Sequence, residues 1–185
     1  MRKFFSFVVV SVDGYHEAPD HSLDWNNVDA EFNEFAAAQL DGIDTLVFGR
    51  ATYEGMASFW PTAFAIEADP EIASRMNDKP KIVVSRTLTS ADWANTRVVR
   101  DNLADEFTRL KQQPGKDIAI FGSSKLTVEL IRLGLIDEVA VMVMPVLLGD
   151  GTPLFQGLPE HVRLTRTGVR PFDNGNTLSY YRPTS

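Results

Sequence analysis

Twice in this chain a short apolar run meets a glycine and passes at once into a helical pattern. Thr45-Leu-Val-Phe48 leads into Gly49-Arg50-Ala51-Thr52, and Ile118-Ala-Ile-Phe121 leads into Gly122-Ser123-Ser124-Lys125. Two such turns constrain the fold strongly, because strand followed by helix followed by strand is the pattern of an α/β sheet with parallel neighbours. Glycine lets the backbone turn sharply and come close to a ligand. The helix behind it offers free N–H groups and a positive dipole end to an anion. At the first turn Arg50 adds a planar cation and Thr52 a hydroxyl. At the second, Ser123 is a residue type that caps helices well. A third strand end, Val83-Val84-Ser85-Arg86, adds another hydroxyl and a guanidinium able to give a phosphate two parallel bonds. Any one of these is also an ordinary strand–helix connection. Together they favour a nucleotide site at the carboxyl ends of neighbouring parallel strands.

The rest of the chain alternates in the same way. Strands are predicted over 4–12, 44–48, 81–85, 97–100, 117–121 and 137–144. Helices are predicted over 29–40, 52–59, 102–113 and 123–133, the third stopped by Pro114-Gly115 and the fourth closed by Gly134. Residues 61–78 read as a loop with a helical turn near 71–76. Two alternating strands, 162–169 and 177–182, flank Phe172-Asp-Asn-Gly175, a hairpin signal. No repeat or linker interrupts the pattern, so 185 residues are expected to form one domain, 1–185. The expected fold is α/β: a mixed, mostly parallel sheet with helices on both faces and an antiparallel ending.

Composition excludes several functions. The chain has no cysteine, so no thiolate nucleophile or thiolate metal site is expected. The histidines are His16, His21 and His161, without metal-binding spacing, and no metal is predicted. A net charge of -7 argues against a nucleic-acid partner. Arg2-Lys3 before an apolar run imitates a short leader, but Asp13-Gly14 ends the run with no cleavage site, and a buried strand is the expected reading. The apolar run Val139–Leu148 contains Pro145 and is too short to span a bilayer. A cytoplasmic location is the default expectation.

Further residues carry a resemblance. Ser11-Val-Asp13-Gly14, Val47-Phe-Gly49-Arg50-Ala-Thr52, Val84-Ser85-Arg86, Phe121-Gly122-Ser-Ser-Lys-Leu126, Gly134-Leu-Ile-Asp137-Glu138 and Pro145-Val-Leu-Leu-Gly149-Asp-Gly151 follow one another in this order over nearly the whole length. In this the chain resembles the dihydrofolate reductase superfamily, and within it the RibD C-terminal-domain-like group, related to the pyrimidine reductase of bacterial riboflavin biosynthesis. The resemblance implies a three-layer α/β/α fold with about eight strands, NADPH as hydride donor, a small-molecule substrate and a homodimer. It implies that Gly49, Arg50 and Thr52 face the NADPH phosphates. Ser85 and Arg86 would sit by the adenosine ribose and its 2′-phosphate. Gly122, Ser123, Ser124 and Lys125 would serve the diphosphate. Asp13 and Gly14 would border the nicotinamide and substrate cleft, and Gly149, Asp150 and Gly151 would form a loop that closes over the substrate or supports the dimer. The riboflavin-pathway reductases tend to carry a basic residue after the Asp-Gly pair, and this chain has Tyr15. The second turn reads Gly-Ser where Gly-Gly is usual.

Asp29 and Asp13 are the candidate catalytic carboxylates, with a bound water as a third proton source. Each has a structural alternative. Asp29 stands where an acid stabilises a helix N-terminus, and Asp13 where one stabilises a turn. Trp25, Phe59 and Trp60 could stack on a flat ring or belong to the core. The expected activity is NADPH-dependent reduction of a small heterocycle, the nearest family activity being reduction of 5-amino-6-(5-phosphoribosylamino)uracil. Its rivals are a dihydrofolate or pterin reductase, and a non-catalytic nucleotide-binding homodimer of the same fold.

Overall fold

The computed structural model describes residues 1–184. An eight-stranded sheet runs through it, built from β1 (Phe4–Ser11), β3 (Ile43–Gly49), β4 (Lys81–Val84), β5 (Thr96–Val99), β6 (Asp117–Phe121), β7 (Glu138–Met144), β9 (Arg163–Pro171) and β10 (Thr177–Thr184). Their spatial order is β5-β4-β3-β6-β1-β7-β10-β9. The six strands from β5 to β7 are parallel, and β10 and β9 close one edge antiparallel. A second, two-stranded sheet pairs β2 (Tyr15–Glu17) with β8 (Thr152–Pro153). The residues after Lys3 that imitate a leader form β1, which is paired on both sides inside the sheet and almost wholly buried.

Both faces of the sheet are covered, as the apolar strands require. Along β3, Leu46 and Phe48 point to one face and Val47 to the other, the two-residue period of a strand. On the first face lie α1 (Ala30–Asp41), α2 (Arg50–Phe59) and α4 (Pro70–Asp78), whose Phe35, Tyr53 and Met76 join Phe5, Phe7 and Phe48. On the second lie α5 (Leu103–Gln112) and α6 (Ser124–Arg132), whose Phe107 and Leu130 join Phe4, Val47 and Ile120. The result is the three-layer arrangement expected.

The segment 61–78 differs from the loop expected of it. It folds into α3 (Ala63–Ala68) and α4, each with a side-chain cap: Thr62 Oγ1 accepts from Ala65 N at 3.2 Å, and Asp69 Oδ1 from Ile72 N at 3.1 Å. Pro70 follows Asp69 as the first helical residue, where its missing N–H costs nothing. Ile72, Ala73 and Met76 are the buried face of α4. The edge strand β9 is exposed along nearly its whole length, and its three arginines and Pro171 oppose pairing with another edge.

Topology fixes where a ligand can enter. The chain leaves β3 through α2 on the first face and moves outward to β4. It leaves β6 through α6 on the second face and crosses to β7. The carboxyl ends of β3 and β6 therefore lie side by side while their helices diverge. This is a topological switch point, the place where open α/β sheets bind ligands.

Candidate functional site

At that switch point the two glycine turns are bonded to each other. Gly49 is the N-cap of α2 and Ser123 the N-cap of α6. Ser123 adopts the left-handed conformation (φ 54°), and its hydroxyl does not cap its own helix as the sequence suggests. It crosses to the other turn, where Ser123 Oγ accepts from Gly49 N and donates to Thr52 Oγ1, both at 2.8 Å. The packing is equally close. A Cβ on Gly49 would lie 3.3 Å from Ser123 Oγ, and one on Gly122 would lie 3.3 Å from the Thr52 methyl. Gly122 also has a φ of 64°, which side-chain-bearing residues rarely adopt.

The consequence is electrostatic. Among the described residues, no side chain caps either α2 or α6. The first-turn N–H groups of a helix have no partners within it, so two such sets converge with two positive dipole ends. An anion held by both helices is the natural complement of this crevice.

The candidate cations flank it. Arg50 pairs with Glu54 at 3.6 Å and Arg86 with Asp101 at 3.5 Å, both pairs well exposed. Exposed pairs of this kind contribute little, so either guanidinium is free to exchange its carboxylate for a phosphate. Lys125 is exposed on the first turn of α6. Ser85 is buried, and its Oγ accepts from Thr87 N at 3.2 Å and Leu88 N at 3.0 Å. Its hydroxyl thus shapes the turn that carries Arg86. Ser124 is buried too, and its Oγ accepts from Phe155 N at 3.3 Å, tying the segment after β8 to the start of α6.

Asp13 lies on the other side of the crevice, beyond β1. Its carboxylate accepts from Ser11 Oγ at 2.6 Å, from Gly149 N at 2.7 Å and from Leu148 N at 3.1 Å. The Ser11 hydroxyl, then the Gly149 N–H, draw its pKa from 3.8 down to about 2. Asp13 is therefore a fixed anion that latches the turn after β1 to the loop after β7. The small sheet β2–β8 strengthens the latch, and Thr152 Oγ1 donates to Glu17 Oε2 at 3.2 Å. Asn27 adds a third tie: its N–H reaches Met144 Sδ at 2.9 Å and its Nδ2 reaches Asn174 O at 2.9 Å. Asp29 is the N-cap of α1 and accepts from Phe32 N at 2.9 Å.

Of the residues that the sequence nominates, Gly49, Thr52, Gly122 and Ser123 form one contiguous structure. Arg50, Lys125 and Arg86 border it from α2, α6 and the end of β4. Asp13 and Asp29 stand apart from it, toward β1 and α1. Sequence reasoning missed the clasp of Tyr15–Glu17 on Thr152–Pro153 and the tie through Asn27. The paired glycines Gly149 and Gly151 were the available signal for the clasp, whereas Asn27 gave none. A concavity of about 1020 Å3 opens at the opposite edge of the sheet, at the amino ends of β3, β4 and β5. Its basic side chains are already committed: Arg2 to Asp44, Arg97 and Arg109 to Glu106, and Lys81 Nζ to the Asn77 and Lys79 carbonyls. It lacks the converging helix ends that mark the switch point.

Known proteins share this architecture. The chain is 32% identical over 177 residues to the uncharacterised protein YyaP of Bacillus subtilis (strain 168), an alignment covering 94% of this chain and 91% of that one. The crystal structure of a candidate riboflavin biosynthesis protein from Shewanella sp. PV-4 superposes with a TM-score of 0.76 at 26% identity, covering 99% of each chain. Dihydrofolate reductase from Enterococcus faecalis, solved with NADP(H) and the ligand RAB-propyl, shares the fold with a TM-score of 0.65 at 16% identity, covering 99% of this chain and 97% of that one. The model of the RibD C-terminal domain matches residues 2–178, nearly the whole chain, and with the glycine turns, the strand order and these likenesses it shows that the chain belongs to the RibD C-terminal domain family.

Proposed function

We propose that the protein is an NADPH-dependent reductase of a small heterocyclic acceptor. The observation that carries this reading is the juxtaposition of two uncapped helix N-termini, joined by the Ser123 hydroxyl at the β3–β6 switch point. It is a cradle for a diphosphate. Its residues fit the cofactor in a further respect: Arg86 at the end of β4 and Arg50 on α2 are cations in weak surface pairs, available for phosphate. The Enterococcus enzyme, of the same fold, was solved with NADP(H).

Bound NADPH would supply a hydride to the carbon of a C=N or C=O group, leaving as NADP+ while the nitrogen or oxygen takes a proton. The chain's own residues do the rest. The first turns of α2 and α6 would bind the diphosphate. Arg86 would bind the 2′-phosphate. The latched loops after β1 and β7 wall off the reacting end and hold the acceptor near it. Asp13, held ionised far below neutral pH, does not donate the proton; it holds the wall. The proton comes from Asp29 or from solvent admitted at the rim.

Calorimetric titration with NADPH and, in parallel, NADH tests the reading. Micromolar NADPH binding that Arg86→Ala weakens about tenfold, with NADH weaker, supports it. No binding of either nucleotide sinks it.

A further inference from the structure

The reductase reading fixes the direction in which a cofactor would lie, and this inference rests on that reading. With the adenosine phosphate by Arg86 at the end of β4 and the diphosphate between β3 and β6, the next strands in the sheet are β1 and β7. The reacting end of the cofactor and the acceptor then belong under the loops after β1 and after β7.

The charge on that half of the edge is opposite to the charge on the cofactor half. From Phe4 to Gly49 and from Leu133 to Val162 the sequence contains no lysine or arginine. The two loops carry Asp13, Glu17, Asp20, Asp24 and Asp150 instead. His21 is exposed and paired with Glu17 at 3.0 Å. His16 is largely enclosed, and burial lowers its pKa and keeps it neutral. Arg170 approaches from β9. It is committed to Glu31 at 3.2 Å and stacked on the Phe172 ring at 4.5 Å.

The paired backbone donors of the loop after β7 are already engaged. Successive N–H groups in a loop can hold a phosphate, and Leu148 N and Gly149 N form such a pair here. Both are occupied by the Asp13 carboxylate, at 3.1 and 2.7 Å. Gly151 N is taken by Asp150 Oδ1 at 2.8 Å. A substrate phosphate arriving at this rim would meet a fixed carboxylate where it needs a donor.

We propose that the acceptor reduced at this site carries no phosphate and is an uncharged or cationic nitrogen heterocycle. The reaction balance is that of the reductase reading: NADPH and one proton are consumed, and NADP+ and the reduced ring are released. The phosphate chemistry of the molecule is confined to its cofactor half, and the substrate half selects against anions.

The test uses matched pairs with and without a phosphate, such as uridine with uridine 5′-monophosphate and 5-amino-6-ribosylaminouracil with its 5′-phosphate. Each is titrated into the protein alone and into the protein with saturating NADPH, at low and at high salt. The expected result is that the unphosphorylated member of each pair binds at least about tenfold more tightly, with the gap narrowing as salt screens the rim. A phosphorylated member that binds as well as its partner overturns the inference, as does a set in which no uncharged or cationic ring binds. Failure of NADPH itself to bind counts against the reductase reading, while the order within the pairs, read in the titrations without NADPH, still decides the charge selection.

Discussion

The Ser123 hydroxyl stands 2.8 Å from the Thr52 hydroxyl and 2.8 Å from the Gly49 N–H, so one side chain from the second glycine turn organises the first. Each glycine turn supplies what the other lacks. The first has no side chain at its N-cap, and the second has a serine in a left-handed conformation that turns its hydroxyl away from its own helix. The two helix ends are thereby held at one spacing before any ligand arrives, which would lower the ordering cost of binding the diphosphate of the proposed cofactor.

Ser123→Ala strands the Gly49 N–H and the Thr52 hydroxyl, and should lower unfolding stability by about 1–3 kcal/mol. Ser123→Gly removes the same hydroxyl and also relieves the left-handed strain, which is worth about 1–2 kcal/mol for a side-chain-bearing residue. The glycine variant should therefore be the more stable of the two in urea denaturation, and on the proposed reading both should bind NADPH more weakly than the parent. Equal stability of the alanine variant and the parent would show that the crossing bond contributes nothing.

Gly151 stands against β2 so closely that a Cβ would collide with Glu17 O, and its φ of 144° is itself unsuited to a side chain. Gly151→Ala must push β8 away from β2. Hydrogen exchange at Leu154 N, which donates to Gly14 O at 3.0 Å, should become faster while the sheet amides of β1 stay protected. Unchanged exchange at Leu154 would refute the clasp.

Asp29 lends itself to a clean separation of roles. Asparagine caps a helix about as well as aspartate, whereas alanine costs about 1 kcal/mol. Asp29→Asn should thus keep the thermal midpoint, and Asp29→Ala should lower it. If the carboxylate also gives the acceptor its proton, Asp29→Asn abolishes turnover without touching NADPH affinity. Full turnover in that variant assigns the proton to solvent and leaves Asp29 a cap alone.

The fold was legible in the sequence because its signals are local. Val47 between Leu46 and Phe48 reads as a strand buried on both faces, and Gly49 and Gly122 mark where helices begin. Residues 61–78 were harder, since α3 and α4 are short and their apolar residues are few. The signals there were Thr62 three residues before Ala65 and Asp69 before Pro70, which are caps rather than periodicity. The site was half legible. Gly49, Thr52, Gly122 and Ser123 could be named, but not the direction of the Ser123 hydroxyl, which depends on a left-handed φ and on a partner 71 residues away. Asp13 could be named as a carboxylate near a cleft, but its three donors come from Ser11 and from a loop 135 residues further on. Long-range hydrogen bonds of this kind leave no spacing in the sequence.

Lys81 is 1% exposed at the amino end of β4. Its Nζ donates to Asn77 O at 2.8 Å and Lys79 O at 2.7 Å and lies 4.5 Å from the centre of the Trp93 ring. Burial lowers its pKa from 10.5 to about 8. Between those values the unfolded chain binds a proton that the folded protein does not, so stability contributed at Lys81 rises with pH across about 8 to 10.5. The parent should gain on the order of 2–3 kcal/mol relative to Lys81→Met over that window in urea denaturation. A difference between the two proteins that stays flat from pH 8 to 10.5 would place the lysine in contact with water.

Asp13 gives the opposite dependence. Its folded pKa is about 2 against an ordinary 3.8, because the Ser11 hydroxyl and the Gly149 and Leu148 N–H groups all favour the anion. A carboxylate with a lowered pKa contributes its hold fully above about pH 4, and the hold is lost as pH falls through about 2. Below that, the protonated carboxyl releases Gly149 N and Leu148 N, and the loop after β7 comes free of the turn after β1. Amide NMR of Gly149 should therefore follow a titration with a midpoint near 2, and Asp13→Asn should move that resonance at neutral pH toward its acid position. The latch acts on the rim rather than on the sheet, so the β1 and β7 amides should hold their positions through the same titration. A Gly149 midpoint near 4 would mean that the carboxylate is solvated and that the wall over the β1–β7 half of the site is held by β2 and β8 alone.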